Sequence, residues 1–389
     1  MLAAQPDNRE ALKGSGWCHS RNRRHAEAIA RYSRLHELEP KRADWPYALG
    51  YQYYDQKSWP EAIAWFDKAL ALRPDFVVVL YRKGYAHQQL EHFGPALQAY
   101  STCRDAWHRM PDGPAREKDR KNCAKAAYHQ GALVLENPRL VAGGSPAMAA
   151  AILEEAVGLD PADGNHQYKL GAAYIAAGRP SDALAHLREA DRLTHGKDYV
   201  LDRLGQAYMA LDNAAECLGC YDRVPPPSRK AYYNRNYGKA LLKFEMHSDA
   251  ERTLRRAVQQ ERSNHNGHFC LAQALECLGR VREAAIEYQQ AVALRKKNYG
   301  KDFPEASAKL DRIREIHPDA LEAASADRGV VESYNSDRGF GFIRADDGER
   351  RFFHIKECIG IGSPAPGVRV RFEPAETPKG LAALRVGLE

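Results

Sequence analysis

Apolar positions along the first three hundred residues recur with a period of about 34. One register places a small residue at position 8, Ala at 20 and Pro at 32, with large side chains at 7, 11 and 24. Residues 43–76 fit it best: Leu49, Gly50, Tyr53, Ala62, Phe66, Ala69 and Pro74 fall at positions 7, 8, 11, 20, 24, 27 and 32. The same phase holds at 9–42 (Gly16, Ala28, Tyr32, Pro40) and at 77–110 (Gly84, Ala96, Tyr100). It returns at 164–197 (Leu170, Gly171, Tyr174, Ala183) and 198–230 (Leu204, Gly205, Tyr208). The last two units are 231–264 (Gly238, Ala250, Leu254) and 265–298 (Ala272, Ala284, Tyr288). Self-similarity at this length predicts a stack of short units, each burying its apolar face against the next. Residues 111–163 break the phase. A basic run from Arg116 to Lys125 opens a helix toward Leu135, a Pro/Gly stretch follows, and a second helix runs from Ala147 to Leu159. This segment reads either as an eighth unit with a lengthened loop or as a hinge between three repeats and four.

Near the C-terminus the period becomes two. In Arg338-Gly339-Phe340-Gly341-Phe342-Ile343, strand alternation puts both phenylalanines on one face and the glycines on the other. Phe352 and His354 likewise share a face of the next strand. The glycines leave the opposite face short of bulk, and no apolar helix stands nearby as a lid. Exposed rings on adjacent strands, edged by Arg338 and Lys379, suit single-stranded nucleic acid, because every base offers a π-face and every phosphate a charge.

The repeating residues resemble the tetratricopeptide repeat. That resemblance implies an all-α superhelical solenoid of about eight helical hairpins over 9–298. Small residues at positions 8 and 20 let the two helices of a hairpin approach closely, and Pro at 32 ends the second helix. Residues 303–316 resemble the solvating helix that closes such a stack, and 317–328 read as a linker. In this family positions 2, 5, 9, 12 and 13 of the first helix face the concave groove. Here they supply Tyr47, Tyr51, Tyr54, Tyr81, Tyr85, Tyr168, Tyr199 and Tyr232, with Arg235, Lys239 and Lys243 adding charge. Tyrosine buries a large area and keeps a hydroxyl for hydrogen bonding, which suits peptide recognition. The Lys/Asn clamp for chaperone-tail carboxylates is not reproduced, since Trp17 occupies position 9 of the first repeat. The expected groove ligand is an acidic or aromatic peptide of a partner protein, or a nucleic-acid backbone along the three cations.

Residues 329–387 resemble a cold-shock domain. The run Gly329-Val330-Val331, Tyr334-Asn335, RGFGFI, the acidic turn Asp346-Asp347-Gly348, RFFHI, Gly367 to Phe372 and Lys379 to Ala383 follows the family in order and spacing. The resemblance implies a small all-β, five-stranded OB-type barrel that binds single-stranded RNA or DNA. Phe340, Phe342, Phe352 and His354 would stack on bases with Tyr334 beside them, and Arg338 and Lys379 would supply charge. Glu332-Ser333 stand where the family usually has Lys-Trp, and Ile355 where a further aromatic is common. Each lost stack is worth roughly 1–3 kcal/mol, so weaker binding than on a full platform is expected.

The chain of 389 residues accommodates both parts, and its net charge of +6 is mildly basic. Residues 327–389 hold ten Lys/Arg against ten Asp/Glu, so the whole excess lies on the repeats. The absence of an apolar span or secretory segment points to a soluble cytoplasmic protein. The 8 cysteines are expected to be reduced. Cys217-Leu218-Gly219-Cys220 lacks a second pair for zinc; Cys217, Cys270 and Cys277 read as core packing. No P-loop, GxSxG, HExxH or dinucleotide fingerprint is present. The expected function is a non-enzymatic adaptor without metal or cofactor. It would hold a protein partner in the groove and single-stranded nucleic acid, RNA before DNA, on the barrel. The alternative is a protein scaffold whose barrel has lost strong nucleic-acid binding.

Overall fold

The computed structural model describes residues 7–317, 327–359, 361, 364–377 and 380–389. These fall in two compact units divided between Arg223 and Val224. The first unit holds six helical hairpins. Its first three are α1 (Arg9–Arg21) with α2 (His25–Leu38), α3 (Asp44–Asp55) with α4 (Trp59–Leu72), and α5 (Val77–Gln89) with α6 (Phe93–Arg109). Then come α7 (Pro114–Glu136) with α8 (Pro146–Leu159), α9 (Gly164–Ala176) with α10 (Pro180–Thr194), and α11 (Asp198–Ala210) with α12 (Ala214–Asp222). The second unit holds α13 (Ala231–Lys243) with α14 (His247–Gln260), α15 (His265–Cys277) with α16 (Val281–Tyr299), and α17 (Pro304–Ile316). The strands of the second unit are β1 (Asp327–Asn335), β2 (Phe340–Ala345), β3 (Arg350–His354), β4 (Cys358–Ile359), β5 (Arg369–Thr377) and β6 (Gly380–Leu388).

One steric device closes every regular hairpin that has glycine at position 8. A Cβ on Gly50 would stand 2.7 Å from the Phe66 ring, and one on Gly84 the same distance from Tyr100. Gly16 faces Tyr32, Gly171 Leu187, Gly205 Tyr221 and Gly238 Leu254 in the same way. In each, the position-24 side chain lies on the bare backbone of the first helix, while the small residue at position 20 is buried. Ala28, Ala62, Ala96, Ala183, Cys217 and Ala250 are all at 0% exposure. The irregular segment uses the same lock, with Gly131 against Leu153. There the two residues are twenty-two apart instead of sixteen, so the connection is six residues longer. The tight turn inside each regular hairpin carries a left-handed residue at position 15. It is Arg23, Lys57, Glu91, Asp212 or Glu245 in five of them, and Gly178 or Gly279 in two.

The sheet runs β3-β2-β1-β5-β6-β4, and a parallel contact of Phe352 with Ala382 joins β3 to β6, so the curled sheet meets its own edge. The expected class, a solenoid of helical hairpins followed by a small β-barrel, is thus the observed one. The strand count is corrected from five to six among the described residues. The extra strand is the two-residue β4, which pairs parallel with β6 through Cys358 and Ile359. Val331, Ile343, Ala345, Phe353, Val370, Phe372, Ala383 and Val386 form the core. The face opposite Phe340 and Phe342 is not short of bulk. Gly341 leaves room that Phe353 from β3 fills, its ring lying 2.6 Å from where a Cβ would stand. Gly339 is not in the strand at all; it closes the preceding turn with φ +64°. None of the eight cysteines is in a disulfide. Cys217 and Cys270 are buried as expected, but Cys277 is exposed because it is the last residue of α15, beyond the hairpin contact.

Candidate nucleic-acid interface and repeat groove

Antiparallel pairing of β2 with β3 builds a ladder of three rungs on the outer face: Phe340 opposite His354, Phe342 opposite Phe352, and Arg344 opposite Arg350. The three phenylalanine rings form one cluster, with centroids 6.4 Å (Phe340–Phe342), 5.7 Å (Phe340–Phe352) and 5.9 Å (Phe342–Phe352) apart. Phe352 is 40% exposed, an unusual setting for a ring this size. His354 Nδ1 accepts the Lys356 N–H at 3.2 Å, which ties the ring to the turn that follows β3. Arg338 is exposed in the turn before Phe340, and its backbone N–H donates to Asn335 Oδ1 at 2.9 Å. Phe340, Phe342, Phe352, His354 and Arg338 are therefore brought to one end of the barrel face. Lys379 lies outside the described residues.

Tyr334 is placed elsewhere. Simple alternation from buried Val331 would put Glu332 and Tyr334 on the outer face. β1 instead carries a bulge at Glu332, between the pairs Val331–Ile343 and Ser333–Phe342. One extra residue reverses the parity of everything after it. Ser333 then sits beside Phe342, where the family resemblance leads one to expect a ring, and Tyr334 turns inward opposite Gly341. Its ring stacks on Phe353 at 6.0 Å and 14°. Tyr334 thus packs against the core instead of joining the platform.

The bulge also presents Glu332 to two arginines. Arg344 Nε donates to Glu332 Oε1 at 3.1 Å, its Nη2 to the same oxygen, and Arg350 Nε lies 2.6 Å from Oε2. The two guanidinium groups, Arg344 foremost, hold the Glu332 carboxyl below the usual range. Arg350 in turn stands over the Phe342 ring, 3.9 Å from its centroid. Neither arginine was singled out in the sequence; only the strand register, which aligns Arg344 and Arg350 with the ring rungs, identifies them.

In the first unit, Tyr47, Tyr51 and Tyr54 of α3 and Tyr81 and Tyr85 of α5 form one half-buried aromatic cluster. Its members are linked by Tyr51–Tyr54 (6.4 Å) and Tyr54–Tyr85 (5.9 Å), and extended by Trp59 and His129. The Arg82 guanidinium stands among Tyr51 (4.3 Å to the centroid), Tyr54 (5.4 Å) and Tyr47 (5.8 Å). Its Nε is buried without a hydrogen-bond partner, and among the described residues no carboxylate pairs with it. Burial raises the hydroxyls of Tyr47 and Tyr54 and pushes Tyr81 up to about 12, so all three remain protonated donors. Next to this cluster, an open groove of about 620 Å³ is lined by Trp17, Arg21, Tyr32, Tyr47, Tyr51 and Gln52. Trp17 is 55% exposed, with Arg21 over its ring at 4.9 Å. Tyr168 and Tyr199 pack edge to face at 4.8 Å. In the second unit, α13 carries Tyr232, Arg235, Lys239 and Lys243. There Arg235 approaches Glu261 at 3.9 Å, and Lys239 lines a pocket with Asn266, Phe269, Gln273 and Arg295.

A stack of helical hairpins with an aromatic groove, together with a β-barrel carrying exposed rings, defines a helical-repeat protein with an appended OB-type module. Profile comparisons name both parts: a TPR repeat at 50–91, tetratricopeptide repeats at 138–196 and 237–300, and a 'Cold-shock' DNA-binding domain at 327–388. The chain thus carries tetratricopeptide repeats between residues 50 and 300 and a cold-shock domain at 327–388. Such repeats suggest protein–protein interaction and such a domain suggests nucleic-acid binding. Among solved structures it is similar to YrrB, described as a TPR protein with an unusual peptide-binding site. That match has 17% identity, covers 56% of this chain and 95% of that one, and has a TM-score of 0.42. Yeast Tom70 matches at 15% identity over 82% of this chain and 84% of its own, with a TM-score of 0.41. A tetratricopeptide repeat protein from Parabacteroides merdae matches at 11% over 69% and 97%, with a TM-score of 0.49. No curated protein sequence matches the chain. Among the described residues no helix is long and apolar enough to cross a membrane.

Proposed function

We propose that this protein is a non-enzymatic adaptor. Its repeat groove holds a protein partner and its cold-shock domain holds single-stranded nucleic acid, RNA in preference to DNA. The observation that carries the second half is the outward cluster of Phe340, Phe342 and Phe352, with its most exposed ring at 40%. Rings left open at this density offer stacking surfaces that a merely structural sheet would cover. For the groove, an acidic peptide is favoured over an aromatic one, because Arg82 is a half-buried cation among tyrosines with no anionic partner among the described residues. Cytoplasmic residence suits both roles.

The test is fluorescence anisotropy of labelled single-stranded RNA and DNA with the full chain and with Phe340→Ala/Phe342→Ala, across a salt series. Micromolar binding, weakened at least tenfold by the double substitution, is the expected result, since each stack is worth roughly 1–3 kcal/mol. No binding at low salt would leave the scaffold reading, which the pairing of both platform arginines with Glu332 favours. For the groove, an array of acidic peptides bound by the native chain but not by Arg82→Gln is expected.

A further inference from the structure

We propose that Arg344 and Arg350 form a phosphate subsite beside the ring platform, and that Glu332 fills it until a nucleic-acid strand displaces the carboxylate. The inference rests on the single-strand reading above and adds the residues that grip the backbone. Arg344 and Arg350 are direct cross-strand partners, one rung from Phe342 and Phe352. Like charges placed opposite each other in a sheet repel, so this rung needs an anion. Glu332 provides it, with one carboxylate oxygen toward each arginine.

A phosphate carries the same charge and presents paired oxygens to guanidinium groups in the same way. The site also lies where a strand would bring a phosphate, because a base stacked on Phe342 leaves its backbone within one rung of the arginines. Arg350 is 3.9 Å from the Phe342 centroid, so that face opens to a base only when Arg350 swings away. The side chains of Arg344, Arg350 and Glu332 are 56%, 51% and 30% exposed, so one anion can replace the other without unfolding. The neighbouring arginines are committed elsewhere: Arg328 and Arg369 to Glu389, and buried Arg351 to Asp327 and Asp347. Glu332 is therefore a negative gate on the only rung where two guanidinium groups meet the ring platform among the described residues.

The experiment compares Glu332→Gln and Glu332→Ser with the native full chain, using labelled oligo-uridine and oligo-thymidine at about 50 mM salt and above. Both substitutions should tighten binding roughly tenfold and steepen the dependence of log K on log salt by about one. Adding Arg344→Gln/Arg350→Gln to Glu332→Gln should abolish the gain. Near-UV circular dichroism shows whether the barrel remains folded, and two replacements of different shape guard against a local folding defect. Binding by the Glu332 variants alone would support the gate most directly. Suppose instead that the native chain binds and loses binding on Phe340→Ala/Phe342→Ala, yet Glu332→Gln changes affinity less than twofold. The platform reading would then stand and the subsite would be wrong. No binding by native chain or Glu332 variants would sink both.

Discussion

His129 of α7 shows how a single side chain couples the aromatic cluster to pH. Its imidazole stacks on Tyr100 at 5.6 Å and 13°, with Tyr85 and Tyr128 edge-on. Burial, helped by His166 and Lys125, lowers its pKa to about 4. In the unfolded chain the ring protonates near its ordinary value of about 6.5. Between these values the unfolded chain binds more protons, so stability is complete above about 6.5 and falls as pH drops toward 4. The loss amounts to roughly 3 kcal/mol at the lower limit. His129→Gln should flatten this part of the curve, measured as urea midpoints at both ends of the window. An unchanged slope would assign acid sensitivity to other groups. At this scale the sequence was partly legible. Phe340, Phe342 and Phe352 were readable because an unbroken alternation carries them. Tyr334 was not, because a bulge has no signature in Glu332-Ser333 and one inserted residue reverses the faces. Arg344 and Arg350 were missed because a cross-strand partner depends on register, which the spacing of motifs leaves open.

At the scale of the hairpin the same residue type has opposite consequences at different sites. Glycine to alanine in a helix ordinarily stabilises by up to about 1 kcal/mol. Gly14 of α1 has nothing within 4 Å of its missing Cβ, so Gly14→Ala should follow that rule. Gly50 faces the Phe66 ring at 2.7 Å, and Phe66 is buried at 0% exposure with nowhere to move. Overpacking of this kind costs about 1–3 kcal/mol, which outweighs the helix gain, so Gly50→Ala should lower the melting temperature. The left-handed turn position works the other way. Lys57 sits at φ +60°, which costs a residue with a Cβ about 1–2 kcal/mol, against about 0.5–1 lost to glycine's freedom in the unfolded chain. Lys57→Gly should thus raise stability by about 0.5–1 kcal/mol in a thermal melt; a fall would show that Lys57 is not strained. The hairpins were legible because size alone marks the small residue at 8, the side chain at 24 that lies on it and the buried small residue at 20. The Gly131–Leu153 lock was not, because six added residues shift the phase although the contact is unchanged.

At the scale of the whole chain, the question is which cations a bound strand touches. The barrel is neutral and the excess of +6 belongs to the repeats, so net charge alone points away from the rings. Charge position argues the reverse. Arg338 is exposed at the platform, and Arg344 and Arg350 stand one rung beyond it as a single subsite, so the barrel offers about two phosphate contacts. For a single strand, log K falls with log salt by about 0.7 per phosphate, giving a slope near −1.5. A groove path over Arg235, Lys239 and Lys243 would add about three contacts and bring the slope to about −3.5. Anisotropy titrations of the full chain across salt separate the two, and Lys239→Gln/Lys243→Gln supplies the control. A slope near −1.5, unchanged by that pair of substitutions, is expected of an adaptor whose groove is reserved for protein. A slope near −3.5 that the pair makes shallower would instead make groove and barrel a single binding path, and would remove the case for a protein partner at α13.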